Sequence, residues 1–301
     1  MKPEEVDSWK LVILEHDESS EEIGNFFENI WQEGVTRKKI GQICMYSKEA
    51  ITNKIENAVK DLEGRILMLY GKGSFHHYTY GLCNTIAKKR SKNYMYTHVD
   101  EHSDSLYTND GSLNCAAFVR NILEEPEAKS LMLIGSDIKL DDKPNYTVIY
   151  QKEITSENAK TILKEELRKK SQLDVYCSLD LDVLKKTEIK TNYPQGTLEL
   201  KHLLQVLDVI KQEKNLISAD VLGYYKLGIR LRPEWATNET SLLAYAAVAA
   251  KITGKDTKEL EALHNYFKAK LAEERTCHLN NVENMFRYSK EFVKITEQLR
   301  V

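Results

Sequence analysis

The 301-residue sequence predicts a three-layer α/β/α fold on a mainly parallel sheet, with a helical arm at the C-terminal end. Two observations carry this. Short apolar runs of strand length alternate with longer stretches of helical period, the pattern of strands joined by crossover helices. And only 5 prolines and 13 glycines punctuate the chain, so there is no long flexible linker to divide it.

The elements follow in order. The apolar run Lys10–Glu15 is the first strand, and Glu21–Gln32 the first helix. A second helix, Glu49–Leu62, leads to the strand Arg65–Tyr70. A glycine-rich turn then opens the helix His77–Lys89. The strand Tyr94–Val99 precedes a helix over Leu113–Glu124. The strands Ser130–Ile134 and Thr147–Tyr150 come next, then the helix Glu157–Lys170. The strand Asp174–Leu179, helix Leu200–Lys211, strand Leu216–Leu222 and helix Glu239–Thr253 complete a domain over residues 1–254. Beyond Gly254, Leu260, Leu263, Phe267 and Leu271 fall at helical spacing, as do Val282, Met285, Phe286, Phe292 and Val293. Residues 255–301 therefore read as an amphipathic extension packed on the domain, in preference to an oligomer contact or a substrate lid.

Composition excludes several functions. Charged residues make up 30% and the net charge is -3, so neither a basic stripe for nucleic acid nor a basic face for membranes is predicted. Lys169-Lys170 and Lys185-Lys186 read as solvated surface. Five cysteines without CxxC spacing fit a reducing compartment. The acidic start Met1-Lys2-Pro3-Glu4-Glu5 is unlike a signal peptide, and no apolar run approaches the ~18 residues of a membrane helix. The expectation is a cytoplasmic protein, whether monomer or homo-oligomer.

Chemistry concentrates in two acidic runs at predicted strand ends, Thr97-His98-Val99-Asp100-Glu101-His102-Ser103-Asp104 and Ser178-Leu179-Asp180-Leu181-Asp182. Alternate side chains on an extended segment share a face, so Asp100, His102 and Asp104 can converge, as can Asp180 and Asp182. Converging carboxylates repel unless a cation holds them. A third element, Gly71-Lys72-Gly73-Ser74-Phe75-His76-His77, puts a histidine at the same carboxyl edge of the sheet.

These three elements resemble the ureohydrolase superfamily (arginase, agmatinase and relatives). Gly73-Ser74-Phe75-His76, with Gly81 five residues on, is similar to its Gly-Gly-Asp-His element. Asp100-x-His102-x-Asp104 resembles its Asp-Ala-His-x-Asp, and Ser178-x-Asp180-x-Asp182 its Ser-x-Asp-x-Asp. Asn238-Glu239-Thr240-Ser241-Leu242-Leu243-Ala244 is similar to the start of the family's last domain helix. The resemblance implies a two-metal site. His76, Asp100, Asp104 and Asp180 would hold one ion and Asp100, His102, Asp180 and Asp182 the other, with Asp100 and Asp180 bridging. Carboxylates and imidazoles without thiolate suit two Mn(II) ions per chain better than zinc. The implied reaction is attack of a metal-bridged hydroxide on a guanidino or amidino carbon, releasing urea, with Asp104 as proton shuttle. The net charge of the cluster favours a cationic substrate.

Three positions depart from the family. Gly223 stands where a glutamate usually grips the guanidinium. Asn114 stands near the usual loop histidine. Leu184-Lys185-Lys186 replaces Leu-Asp-Pro. A guanidino group on a larger molecule, such as an arginine side chain in a peptide that becomes ornithine, is compatible with such a rebuilt shell, as is a small molecule. Asn114 and Asp220 are the candidate substrate-binding residues. His77 reads either as a surface residue at a helix start or as a general acid replacing the loop histidine. His98 reads as a support or core residue and Glu101 as structural. Tyr78, Tyr80, Tyr224 and Tyr225 read as packing groups, and Cys115 and Cys177 as small buried hydrophobes. His202, His264 and His278 read as surface or helix-packing groups. The alternatives are a metal-dependent amide deacylase with one zinc, and a non-catalytic relative that binds metal or a partner.

Overall fold

The computed structural model describes residues 8–31, 34–42, 47–108, 110–136, 145–228 and 232–277. Eight strands form one sheet: β1 Trp9–Glu15, β2 Val35–Lys39, β3 Arg65–Leu69, β4 Tyr94–Val99, β5 Ala128–Ile134, β6 Tyr146–Ile149, β7 Asp174–Asp180 and β8 Leu216–Leu222. Their order is β2-β1-β3-β8-β7-β4-β5-β6, and every pair is parallel. The predicted three-layer architecture is what the chain adopts. Parallel strands need crossovers and are buried on both faces, which is why the inner strands read as unbroken apolar runs.

Each face supports its own core. One gathers Leu11, Ile13, Leu67, Leu69, Val175 and Leu179 from the strands under helices that include α1, Glu18–Ile30. The other gathers Val12, Leu14, Ile66, Met68, Tyr96 and Tyr176 under α2, Lys48–Val59, and α3. Helix α3 begins at Tyr78–Leu82 and passes through a π-helical stretch, Cys83–Ala87, to Lys88–Arg90. Asp17 caps α1: its carboxylate accepts from Ser20 N at 2.8 Å while Asp17 N donates to Ser20 Oγ at 3.0 Å.

The remaining helices are α4 Val119–Ile122, α5 Gln151–Ile154, α6 Ala159–Lys169, α7 Leu200–Glu213, α8 Arg232–Thr253 and α9 Lys258–Cys277. Three differences from the sequence reading stand out. Strand β2, Val-Thr-Arg-Lys-Lys, was not expected, because an edge strand that carries charge shows no apolar alternation; Arg37 pairs with Glu15 of the neighbouring strand. The helix expected over Leu113–Glu124 shrinks to α4. Asn114 Oδ1 accepts from Ala116 N at 2.9 Å and holds a turn there instead. Helix α8 starts at Arg232, so Asn238 is not its start; the Asn238 amide lies within the helix and accepts from Leu227 N at 3.0 Å.

Helix α9 lies on the domain. His264 is buried, with its Nε2 2.9 Å from Glu188 O, and Lys268 pairs with Glu188 at 2.8 Å. His264 is thus a packing group, as expected. Val282, Met285, Phe286, Phe292, Val293 and His278 lie outside the described residues. No helix among the described residues is long and apolar enough to cross a membrane.

Candidate metal centre

The loops after β3, β4 and β7 meet at the carboxyl edge of the sheet, where the strand order turns back on itself. His76 follows a short 3-10 turn, Gly73–Phe75, at the end of the β3 loop. Its Nδ1 lies 3.1 Å from Asp100 Oδ2, 3.0 Å from Asp104 Oδ2 and 3.6 Å from Asp180 Oδ2. His102 Nδ1 lies 3.0 Å from Asp182 Oδ2 and 3.4 Å from Asp100 Oδ1. The six residues proposed from sequence as ligands are therefore gathered in one place. Asp104 reaches it on a left-handed backbone, φ 46°, which no other non-glycine among the described residues adopts. Such strain persists where the surroundings hold it.

Backbone amides shape the cluster. His102 N donates to Asp100 Oδ1 at 2.6 Å, and Asp182 N to Asp180 Oδ1 at 3.0 Å. Glu101 turns away to bond Gln151, as its alternation predicted. His98 Nε2 sits 3.2 Å from Asp100 Oδ2, while its Nδ1 is 3.0 Å from the Tyr96 hydroxyl.

Electrostatics show what the cluster lacks. Burial and the Asp100 charge push the Asp180 carboxyl up to about 7, and burial with the Asp180 charge holds Asp182 well above its usual range. Hydrogen bonds to Asp100 and Asp182 lift His102 to about 11. Burial disfavours a charged His76, yet its contacts with Asp100 and Asp104 win and hold it well above the ordinary imidazole value. Protons thus stand in for positive charge between the carboxylates. Meanwhile His76 Nδ1, His98 Nε2 and Asp100 Oδ2 are buried and face one another without a hydrogen bond. Orphaned polar atoms of this kind cost free energy unless an ion or water satisfies them. Two groups have the geometry to hold an ion: His76, His98, Asp100 and Asp104, and Asp100, His102 and Asp182. The donor set fits divalent cations.

Below the cluster lies a polar layer that the sequence reading placed differently. Asp220 is 0% exposed and does not reach the cavity. Its carboxylate accepts from the hydroxyls of Tyr70 (3.1 Å), Thr79 (3.1 Å), Tyr176 (2.5 Å) and Ser178 (2.8 Å). Because Ser178 donates to Asp220, its oxygen is free to accept from His76 Nε2 at 2.9 Å. With Nε2 committed to Ser178, a neutral His76 would turn its Nδ1 lone pair toward the aspartates. Asp220 thus supports His76 through Ser178 and is buried away from the cavity.

A cavity of about 180 Å³ opens above the aspartates. Leu106, Cys115, Ala116 and Tyr193 form its upper wall, and Gly73 and Ser103 complete it. Cys115 was expected in the core; it lines this cavity instead, with Sγ 3.3 Å from the Tyr193 hydroxyl. Cys177 is fully buried, as expected. Asn114 spends its side chain on the Ala116 turn and is not part of the wall. His77 is not a surface residue. It is 0% exposed, packs edge-on against Tyr78 at 5.1 Å and does not line the cavity. Tyr193 escaped the sequence reading because no local pattern marks a loop residue 120 positions from Gly73 as its neighbour. A larger cavity, about 290 Å³ between the 186–189 loop, α8 and α9, is built of other residues and holds none of the clustered carboxylates.

Comparison with known proteins agrees with this geometry. The profile of the arginase family matches residues 15–253. Solved structures share the fold at low identity. A hypothetical agmatinase from Burkholderia thailandensis superposes with a TM-score of 0.59 at 18% identity, covering 88% of this chain and 87% of that one. Formimidoylglutamase from Bacillus subtilis gives 0.62 at 16%, covering 83% and 87%. Arginase from Bacillus subtilis gives 0.60 at 17%, covering 83% and 99%. No curated protein is significantly similar to the chain in sequence.

Proposed function

Because the chain belongs to the arginase family, metal-dependent hydrolases of C–N bonds, we propose that it is a dinuclear manganese enzyme that releases urea from a guanidino substrate. The convergence of His76, Asp100, Asp104 and Asp180 around orphaned, buried donor atoms carries this reading. In it, these four hold one ion and Asp100, His102, Asp180 and Asp182 the other. Oxygen and imidazole donors without thiolate favour Mn(II) over zinc. When bound, the ions acidify water to a nucleophile and stabilise negative charge developing at the attacked carbon.

The chain's own residues do the rest. In this reading Asp104, raised by burial and the Asp100 charge and bordering the cavity, accepts a proton from the nucleophile and passes it to the leaving nitrogen. His77 does not line the cavity, so this reading gives it no part in that transfer. His98 steadies Asp100, and Asp220 with Ser178 steadies His76. The substrate is a cation, either small or an arginine side chain in a peptide that leaves as ornithine. Residues 1–254 form the catalytic unit, with the extension from 255 packed on it, and the protein works in the cytoplasm.

One observation favours a second reading, a metal-binding relative without turnover: Gly223 supplies no carboxylate for a guanidinium. The experiment is metal analysis with a urea assay on arginine, agmatine and arginine-containing peptides in Mn(II). We expect two equivalents of metal and urea from at least one substrate. Asp180→Asn should retain the fold by circular dichroism while metal content and turnover fall. Full metal loading with no urea from any of these compounds would reject the hydrolase in favour of the second reading.

A further inference from the structure

The walls above the acidic cluster restrict what a substrate carries besides its reacting group. Among the described residues no lysine or arginine lines the cavity, so outside the proposed metal positions a carboxylate on the substrate would find no cationic side chain. Nor, among the described residues, does the wall outside the cluster offer an acidic side chain to a planar cation. Strand β8 runs out into Gly223 at φ 100°, where an added Cβ would meet Asp180 Oδ1 and lie 2.8 Å from Leu181 N. An aromatic face is the other surface that attracts a guanidinium, and among the described residues Tyr193 is the tyrosine, phenylalanine or tryptophan ring that lines the cavity.

That ring is built in. Asn192 clamps its loop to the β3 turn: Gly73 N donates to Asn192 Oδ1 at 3.1 Å, and Asn192 Nδ2 to Ser74 Oγ at 3.0 Å. Thr191 Oγ1 donates to Tyr193 O at 3.1 Å. The ring rests on Gly73, where even a Cβ would come within 2.9 Å of it. The hydroxyl is engaged by Cys115, and Tyr193 as a residue is 38% exposed, so the ring is what it offers the cavity. His102 stands 6.2 Å from the ring in an edge arrangement, so the ring borders the cluster itself. The apolar character continues outward through Leu106 and its neighbour Tyr107, 66% and 77% exposed.

We propose that Tyr193 sets the specificity of this site: its ring receives the planar cation in place of an acidic side chain and selects guanidino substrates with an uncharged, apolar body and no free carboxylate. The proposal rests on the hydrolase reading above and names the substrate class of the same site.

The test uses full-length protein loaded with Mn(II), and arginine, N-acetyl-arginine amide and butylguanidine as probes. We expect the two probes without a carboxylate to exceed arginine in kcat/KM. Tyr193→Leu should raise KM for both by about tenfold with kcat nearly unchanged, and Tyr193→Phe should keep the wild-type KM. Arginine as the best probe, a wild-type KM in Tyr193→Leu, or a Phe variant as poor as Leu would each overturn the proposal. Calorimetric binding of butylguanidinium to loaded wild type and Tyr193→Leu separates the two readings. Absent turnover with ring-dependent binding condemns the hydrolase alone; equal binding by both proteins condemns the role of the ring. Metal content and circular dichroism verify that each variant is folded and loaded.

Discussion

Placing an acidic side chain at position 223 should damage this protein. Gly223 has φ 100°, a region that side chains rarely adopt, and its missing Cβ would collide with Asp180 Oδ1 and approach Leu181 N to 2.8 Å. The smallest test is Gly223→Ala, which adds the Cβ alone. Forcing a side chain into this backbone region costs about 1–3 kcal/mol, and overpacking against rigid neighbours adds about 1–3 kcal/mol. The Leu181 amide is backbone and cannot swing aside, so the destabilisation should be roughly 2–6 kcal/mol. For a chain of this size that lowers Tm by on the order of 4–12 °C. Since the atom struck is Asp180 Oδ1, a proposed metal donor, metal stoichiometry should fall as well. Thermal melts of metal-free protein and a metal titration measure the two effects. A Gly223→Ala protein that melts with wild type and binds the same metal would show that the loop re-forms without cost, and the steric reasoning would be wrong.

Two more predictions concern buried polar groups. Asp220→Leu removes the acceptor shared by four hydroxyls and should destabilise by about 3–5 kcal/mol; by freeing Ser178 it should also weaken metal binding roughly 10–100-fold, as urea melts and metal titration would reveal. Burial lowers His16 to about 4 in the folded chain. Below about pH 6.5 the unfolded chain therefore takes up a proton that the folded one refuses, and stability drops as pH falls through that window toward 4, by on the order of 3 kcal/mol in all. Urea melts at several pH values should show this slope in wild type and a shallower one in His16→Gln.

The clustered residues were legible because alternation on a strand end fixes which side chains share a face, and Asp100, His102, Asp104, Asp180 and Asp182 needed no further information to be grouped. Apolar period likewise located the inner strands. Features that depend on register between distant strands were not legible. Asp220 sits opposite Ser178 in the β7–β8 ladder, so it serves His76 from below; its place at a strand end wrongly suggested the substrate side. Asn114 lost a predicted helix to a side-chain hydrogen bond. The cavity wall joins Gly73, Cys115 and Tyr193 from three loops, and no periodicity spans such distances.

The sheet order has a consequence for how the chain reaches this state. Strand β8 lies in the middle of the sheet between β3 and β7, although about 150 residues of chain separate it from β3. Until β8 arrives during synthesis, β3 and β7 are open edges, and apolar edges of that kind invite pairing with other chains. The same arrival brings Asp220 under Ser178 and so completes the support of His76. In the proposed reading, firm metal capture would therefore follow insertion of the central strand, and a bound ion would mark a chain whose sheet has already closed.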